Sequence, residues 1–173
     1  MRVLHLNEHL NWTGGVETYL LHLLPVLESH GVENHYAFAT GDAGLVPRAH
    51  RLAEIGGIGR RQEAVGWTRT VSLLKDLRPD VVHIHRVYNL GVLRACLEYG
   101  PTVVTCHDYL YLCPAGSFFH RRTGTICQRR AGPACFAITA WKHCMTPRPR
   151  YALAYYRRVR RFVRWKERYT KIL

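Results

Sequence analysis

Four short segments constrain this chain more than anything else in it. "RVLHLN" (2–7), "ENHYAFAT" (33–40), "DVVHIH" (80–85) and "PTVVTCH" (101–107) are strand-length, and the last two are nearly unbroken apolar runs of the buried type. Between them the period changes. Val16, Tyr19, Leu20, Leu23, Leu24 and Leu27 recur at helical spacing, with Pro25 expected to kink that helix and Gly31 to end it. "WTRTVSLLKDLRP" predicts a helix over 67–77, and "NLGVLRACLEYG" predicts one ended by Gly100. Strands that alternate with helices predict an α/β fold with a parallel sheet covered on both faces. The glycine-rich stretch 41–66 predicts one short helix near 47–54. A length of 173 residues, 47% of them hydrophobic, suits one domain with a sizeable core.

In open parallel sheets ligands gather at the carboxyl ends of the strands. Three such ends carry polar or glycine residues: 7–15, 83–89 and 107–113. Gly14-Gly15 sits between a strand and a helix, where bare backbone and free helix N–H groups suit a phosphate. The pattern is neither GxGxxG nor a P-loop, so a plain tight turn is an equal reading. His83 and His85 lie two apart on one side of a strand, each a proton carrier, a metal ligand or a satisfied core histidine. His107-Asp108 ends another strand, either as a catalytic or sugar-binding pair or as a loop cap. No Gly-x-Ser-x-Gly occurs. Cys106 and His107 are sequence neighbours on a strand and point to opposite faces.

In order and spacing, these stretches resemble the N-terminal domain of family 4 glycosyltransferases, from residue 2 to about 168. "GGVE" (14–17) matches the family's glycine loop at a helix start. "RPDVVHIH" matches its second motif, and "PTVVTCHDY" its strand ending in His-Asp. "LCPAGSFF" leads into further cysteines, as in a subset of the family. The resemblance implies the N-terminal half of a GT-B fold, a Rossmann-like sheet spanning 1–173 as one domain and lacking its usual last strand. It implies transfer of a sugar from a nucleotide sugar to a glycan or lipid-linked acceptor, with retention and with no metal required for catalysis. His107 takes the role of the histidine that lines the sugar site. Gly14 and Gly15 leave room for the donor diphosphate, and Glu17, His85, Asn89 and Asp108 are acceptor-side contacts. The family carries most of its nucleotide-sugar site, with an E-x7-E motif, on a second domain. No two glutamates stand eight apart within 1–173. The expectation is therefore an acceptor-side domain, inactive by itself.

Two features lie outside this frame. Cys113, Cys127, Cys135 and Cys144, separated by 13, 7 and 8 residues, fall in an irregular segment over 113–146. Four thiolates can close a structural zinc site, with His120 and His143 as substitutes, while free thiols are the alternative. Cys96 and Cys106 are expected in the core. Formal charge is +13, and residues 148–173 hold ten Lys/Arg against Glu167 alone. A basic amphipathic helix is expected over 147–171, with Leu153, Tyr156, Val159 and Val163 as its apolar stripe. Such a helix suits an anionic membrane surface better than nucleic acid. No apolar run is long enough to span a bilayer and the start lacks a secretory pattern, so a cytoplasmic protein, peripheral at the inner face of the membrane, is expected. The reading from a different class is an adaptor module. There, a metal-stabilised cysteine loop and the basic helix bind an anionic partner.

Overall fold

A computed structural model describes residues 1–57, 59–109, 111–144 and 148–172. The chain forms two compact units, 1–107 with 168–173, and 108–167.

The first unit is a parallel α/β sheet. β1 (Arg2–Leu10) leads through α1 (Gly15–Ser29) to β2 (Glu33–Gly41) and β3 (Ala49–Arg51). α2 (Arg60–Leu77) precedes β4 (Val81–Ile84), and α3 (Leu90–Tyr99) precedes β5 (Thr102–Val104). The strand order is β3-β2-β1-β4-β5, with a final two-residue strand, Lys171–Ile172, pairing parallel to β5. From β1 the chain steps to β2 on one side, whereas from β4 it steps to β5 on the other. Because such crossovers are right-handed, α1 and α3 lie on opposite faces. The direction therefore reverses between β1 and β4, and that reversal opens a crevice at their carboxyl ends.

The face under α1 has two halves. Over β2 it is apolar, with Leu20, Leu21 and Leu24 of α1 packed on Tyr36, Phe38 and Leu10. Over β1 and β4 it is imidazole, with His5 in register opposite His83 and His85 two residues further on. The other face is aliphatic: Leu4, Leu6, Val82, Ile84 and Val104 are fully buried.

Several expectations need correction. The short helix near 47–54 is instead a strand flanked by two 3-10 turns. Position 49 pairs with Tyr36, so the sheet edge captures this segment. α2 begins at Arg60, a full seven residues before the expected start. It packs on α3 through glycine, with an added Cβ at Gly91 falling 1.8 Å from the Glu63 carbonyl oxygen. A stripe of large apolar residues is not needed where backbones come this close.

In the second unit, the irregular segment contains a hairpin, β6 (Phe119–His120) with β7 (Thr125–Ile126), and a helix, α4 (Ala134–Lys142). The basic helix, α5, runs Pro149–Trp165 rather than to 171; a 3-10 turn follows it, then the strand at 171–172. Its buried face is Ala152, Tyr156, Val159 and Phe162. Phe162 stacks on Tyr111 at 4.4 Å and Tyr156 meets Phe136 edge-on at 5.0 Å. Leu153 and Val163, expected in the stripe, are 52% and 43% exposed, because the aromatic contacts set the helix rotation. Among the described residues, no helix is long and apolar enough to cross a membrane.

Candidate functional site

The crevice between β1 and β4 is built by short-range necessity. At the end of β1, Asn7 is fully buried and its amide is divided three ways. Its Nδ2 donates to the His9 carbonyl and to Glu17 Oε1, each at 2.9 Å, and its Oδ1 accepts from the Arg86 N–H at 3.2 Å. One side chain thus ties β1 to the first turn of α1 and to the segment after β4. Glu17 is 2% exposed. A carboxylate in the first turn of a helix is favoured by the N-terminal dipole.

Glu17 also explains one of the two glycines. A Cβ at Gly14, the N-cap of α1, would stand 1.8 Å from Glu17 Oε2, so the carboxylate occupies the place of a side chain. Gly15 is different: an added Cβ meets nothing within 4 Å, and its backbone faces open space at the helix start.

Four histidines line the sheet beside this loop. His5 is fully buried, with Nε2 3.1 Å from Asn34 Oδ1 and no hydrogen-bond partner for Nδ1. Burial lowers its pKa to about 4, against a smaller opposing effect of Asn34. His83 bonds Thr105 Oγ1 at 2.8 Å. Burial, then the neighbouring His5 and His107, bring it to about 4 as well. His85 is pushed well below the ordinary histidine value, again chiefly by burial and then by His83, His5 and His107. These three rings are neutral near pH 7.

His107 is the outermost ring, half-buried, with Nε2 2.9 Å from His85 Nδ1. Tyr19, 45% exposed, meets it edge-on at 5.5 Å. In the bond between the His85 and His107 rings, one ring donates and the other accepts. The tautomer of His85 therefore sets which role His107 Nε2 takes. The arrangement suits holding a hydroxyl through a hydrogen bond.

Three nitrogens, one each from His5, His83 and His85, lie within 4.8 Å of one another, the one such grouping of possible metal ligands among the described residues. A tetrahedral zinc site needs ligand atoms about 3.3 Å apart. Asn34, Thr105 and His107 already hold these three rings.

A family model described as Glycosyltransferase Family 4 matches residues 13–141. The chain belongs to glycosyltransferase family 4. Comparison with curated proteins and with solved structures returns no match.

Within this family 4 domain, the structure gathers Gly14, Gly15, Glu17, His85 and His107 around one crevice. Asn89 does something else. It is fully buried and caps α3, its Oδ1 accepting from the Gly91 and Val92 N–H groups and its Nδ2 donating to the Gln62 carbonyl. Asp108 is half-buried and belongs to the second unit. Cys96 lies in the core, where burial pushes its thiol up to about 12, while Cys106 is only partly buried.

Sequence reasoning passes over three residues here. Asn7 reads as a strand end, although an asparagine inside an apolar strand signals a buried hydrogen-bond junction. Tyr19 reads as part of the apolar stripe of α1. Arg86 directly follows the histidine motif; its backbone binds Asn7, and its guanidinium donates to Tyr88 Oη.

Proposed function

We propose that this domain forms the acceptor side of a retaining glycosyltransferase that moves a sugar from a nucleotide sugar to a glycan or lipid-linked acceptor, as in polysaccharide biosynthesis. The observation that carries it is the His85–His107 pair, met by Tyr19 one turn along α1 from Gly15, at the strand-order reversal of a family 4 domain. His107 orients the transferred sugar through a hydrogen bond, and His85 holds its ring in place. Gly15 leaves the start of α1 open to the donor diphosphate, and Glu17 holds the loop in shape. Asp108 meets the acceptor. Catalysis needs no metal, because the charge that develops is met by hydrogen bonds and helix N–H groups.

The donor base and sugar are read by a separate donor-binding domain, and residues 1–173 transfer no sugar by themselves. Labelled nucleotide sugars and lipid-linked acceptors test this. We expect no product from residues 1–173 alone. Joined to a donor-binding domain, they transfer sugar, and His107→Ala abolishes that transfer without unfolding the sheet. Rapid transfer by residues 1–173 alone overturns the reading.

The acceptor side also rests against an anionic membrane through α5, at the cytoplasmic face. Leu153 and Val163 are exposed among Arg157, Arg160, Arg161 and Arg164, so a surface rich in arginine also presents apolar tips for insertion. Binding to anionic vesicles should weaken with salt and vanish in Arg160→Glu/Arg164→Glu; equal binding to zwitterionic vesicles refutes it. The same helix supports a second reading, a non-catalytic module for an anionic partner. It is favoured if no donor-binding domain restores transfer while vesicle binding persists.

A further inference from the structure

Within the second unit, the segment from Cys113 to Cys144 buries little of its own. From Cys113 to Cys144 the buried residues, among those described, are Cys113, Pro114 and His120. Ile126 is 76% exposed and Trp141 67%. A segment of this length without an apolar centre needs another source of order.

The cysteines supply a centre. Cys113 closes the turn after Tyr109, with its N–H bonded to the Tyr109 carbonyl. Cys127 directly follows β7, Cys135 lies in the first turn of α4, and Cys144 lies just beyond that helix. Four separate segments thus bring their thiols to the wall of one cavity of about 30 Å³. That volume exceeds the ~10–15 Å³ needed to admit a water, so a single ion fits. None of the four is joined to another cysteine by a disulfide. Disulfides would join them as pairs, whereas four cysteines around one cavity are what a tetrahedral ion can gather.

We propose that Cys113, Cys127, Cys135 and Cys144 bind one zinc ion that orders this unit. The chemistry selects the ion. Between Asp108 and Glu167 the sequence has no carboxylate at all, so oxygen-seeking magnesium or calcium finds no charged ligand there. Four thiolates are the ligand set of structural zinc. Zinc with four thiolates carries two net negative charges, and Arg129, on the cavity wall, offsets them. Among the described residues, the three histidine nitrogens form the one ready-made ligand group, and the four sulfurs do not form another. Ligation must therefore draw the four segments inward, which makes zinc a folding partner of the segment and leaves the catalytic crevice outside its role.

The test uses the 173-residue protein, reduced, stripped with chelator and titrated with zinc chloride. We expect about one zinc retained per chain after dialysis. Peptide mapping should show Cys113, Cys127, Cys135 and Cys144 becoming resistant to alkylation while Cys106 stays reactive. Protease cleavage between 113 and 144 should slow at least about tenfold as the ion couples to folding. Cobalt in place of zinc should give the intense absorption of a tetrahedral thiolate site. Cys127→Ser and Cys135→Ser should each release the ion, and Cys106→Ser should not. If those variants misfold, the alkylation and proteolysis of the wild-type protein still decide. Three results overturn the proposal: no retained zinc with unchanged alkylation, disulfides among the four in protein purified without added oxidant, or stoichiometric iron and sulfide.

Discussion

The buried histidines make this fold acid-labile, and the size of the effect follows from their surroundings. His5 is the cleanest case, fully buried, with a pKa lowered from 6.5 to about 4 by desolvation. A depressed histidine pKa means that the unfolded chain takes up the proton first. Stability is then complete above about 6.5, falls as pH drops through that value, and stops falling below about 4. Between about pH 7 and about pH 5, one such histidine withdraws about 2 kcal/mol. His83 is brought to about 4 as well, and His85 is pushed well below the ordinary histidine value, in both cases chiefly by burial. The three losses are not independent, since each cation would repel the next, so the total acid loss should exceed that of His5 alone. Urea unfolding at the two pH values measures the total. His5→Gln removes one titrating ring while keeping a donor for Asn34, and should return about 2 kcal/mol of the acid loss. Ring resonances of His5 and His83 should stay in the neutral form until pH nears 4. Equal urea midpoints at the two pH values, or rings that titrate near 6.5 in the folded protein, refute the reasoning.

Three further outcomes can be checked by chemical denaturation. Asn89→Ala removes two cap bonds and the partner of the Gln62 carbonyl, and should cost about 2–3 kcal/mol. Gly91→Ala sets a methyl against the Glu63 carbonyl, backbone against backbone, so α2 and α3 must separate; about 3 kcal/mol should be lost, and a neutral result would mean the helices slide freely. Asn7→Ala takes the donor from buried Glu17 and should cost about 2–3 kcal/mol, with Gly14 and Thr18 amides exchanging faster in NMR.

Legibility in the sequence followed the kind of force involved. β1, β2, β4, β5, α1 and α3 bury aliphatic faces, and hydrophobic period reports burial directly. α2 was half hidden because Gly66 and Gly91 make its contact by close approach, which leaves no stripe to read. β3 is three residues long and exists because β2 offers it an edge. In the crevice, His85 and His107 could be found because they end strands. Tyr19 could not, since an aromatic at helical spacing looks the same whether it packs inward or roofs a site. Asn89 shows the opposite case: an asparagine just before an apolar helix is itself the cap signature, and it gave way to a ligand-contact reading. The rotation of α5 depends on Tyr111 and Phe136, residues distant in sequence that no local pattern connects to it.

Gly14 and Gly15 are the same letter twice, yet unrelated forces hold them. The first is fixed from inside, by a carboxylate that takes the volume of a side chain. The second meets no protein atom where its side chain would be. In a randomised library screened for folding alone, position 14 should return almost only glycine, while position 15 should drift freely toward alanine and other good helix formers. Only a screen that demands turnover should recover the second glycine, and the gap between the two screens would measure what the ligand, as opposed to the fold, asks of this loop.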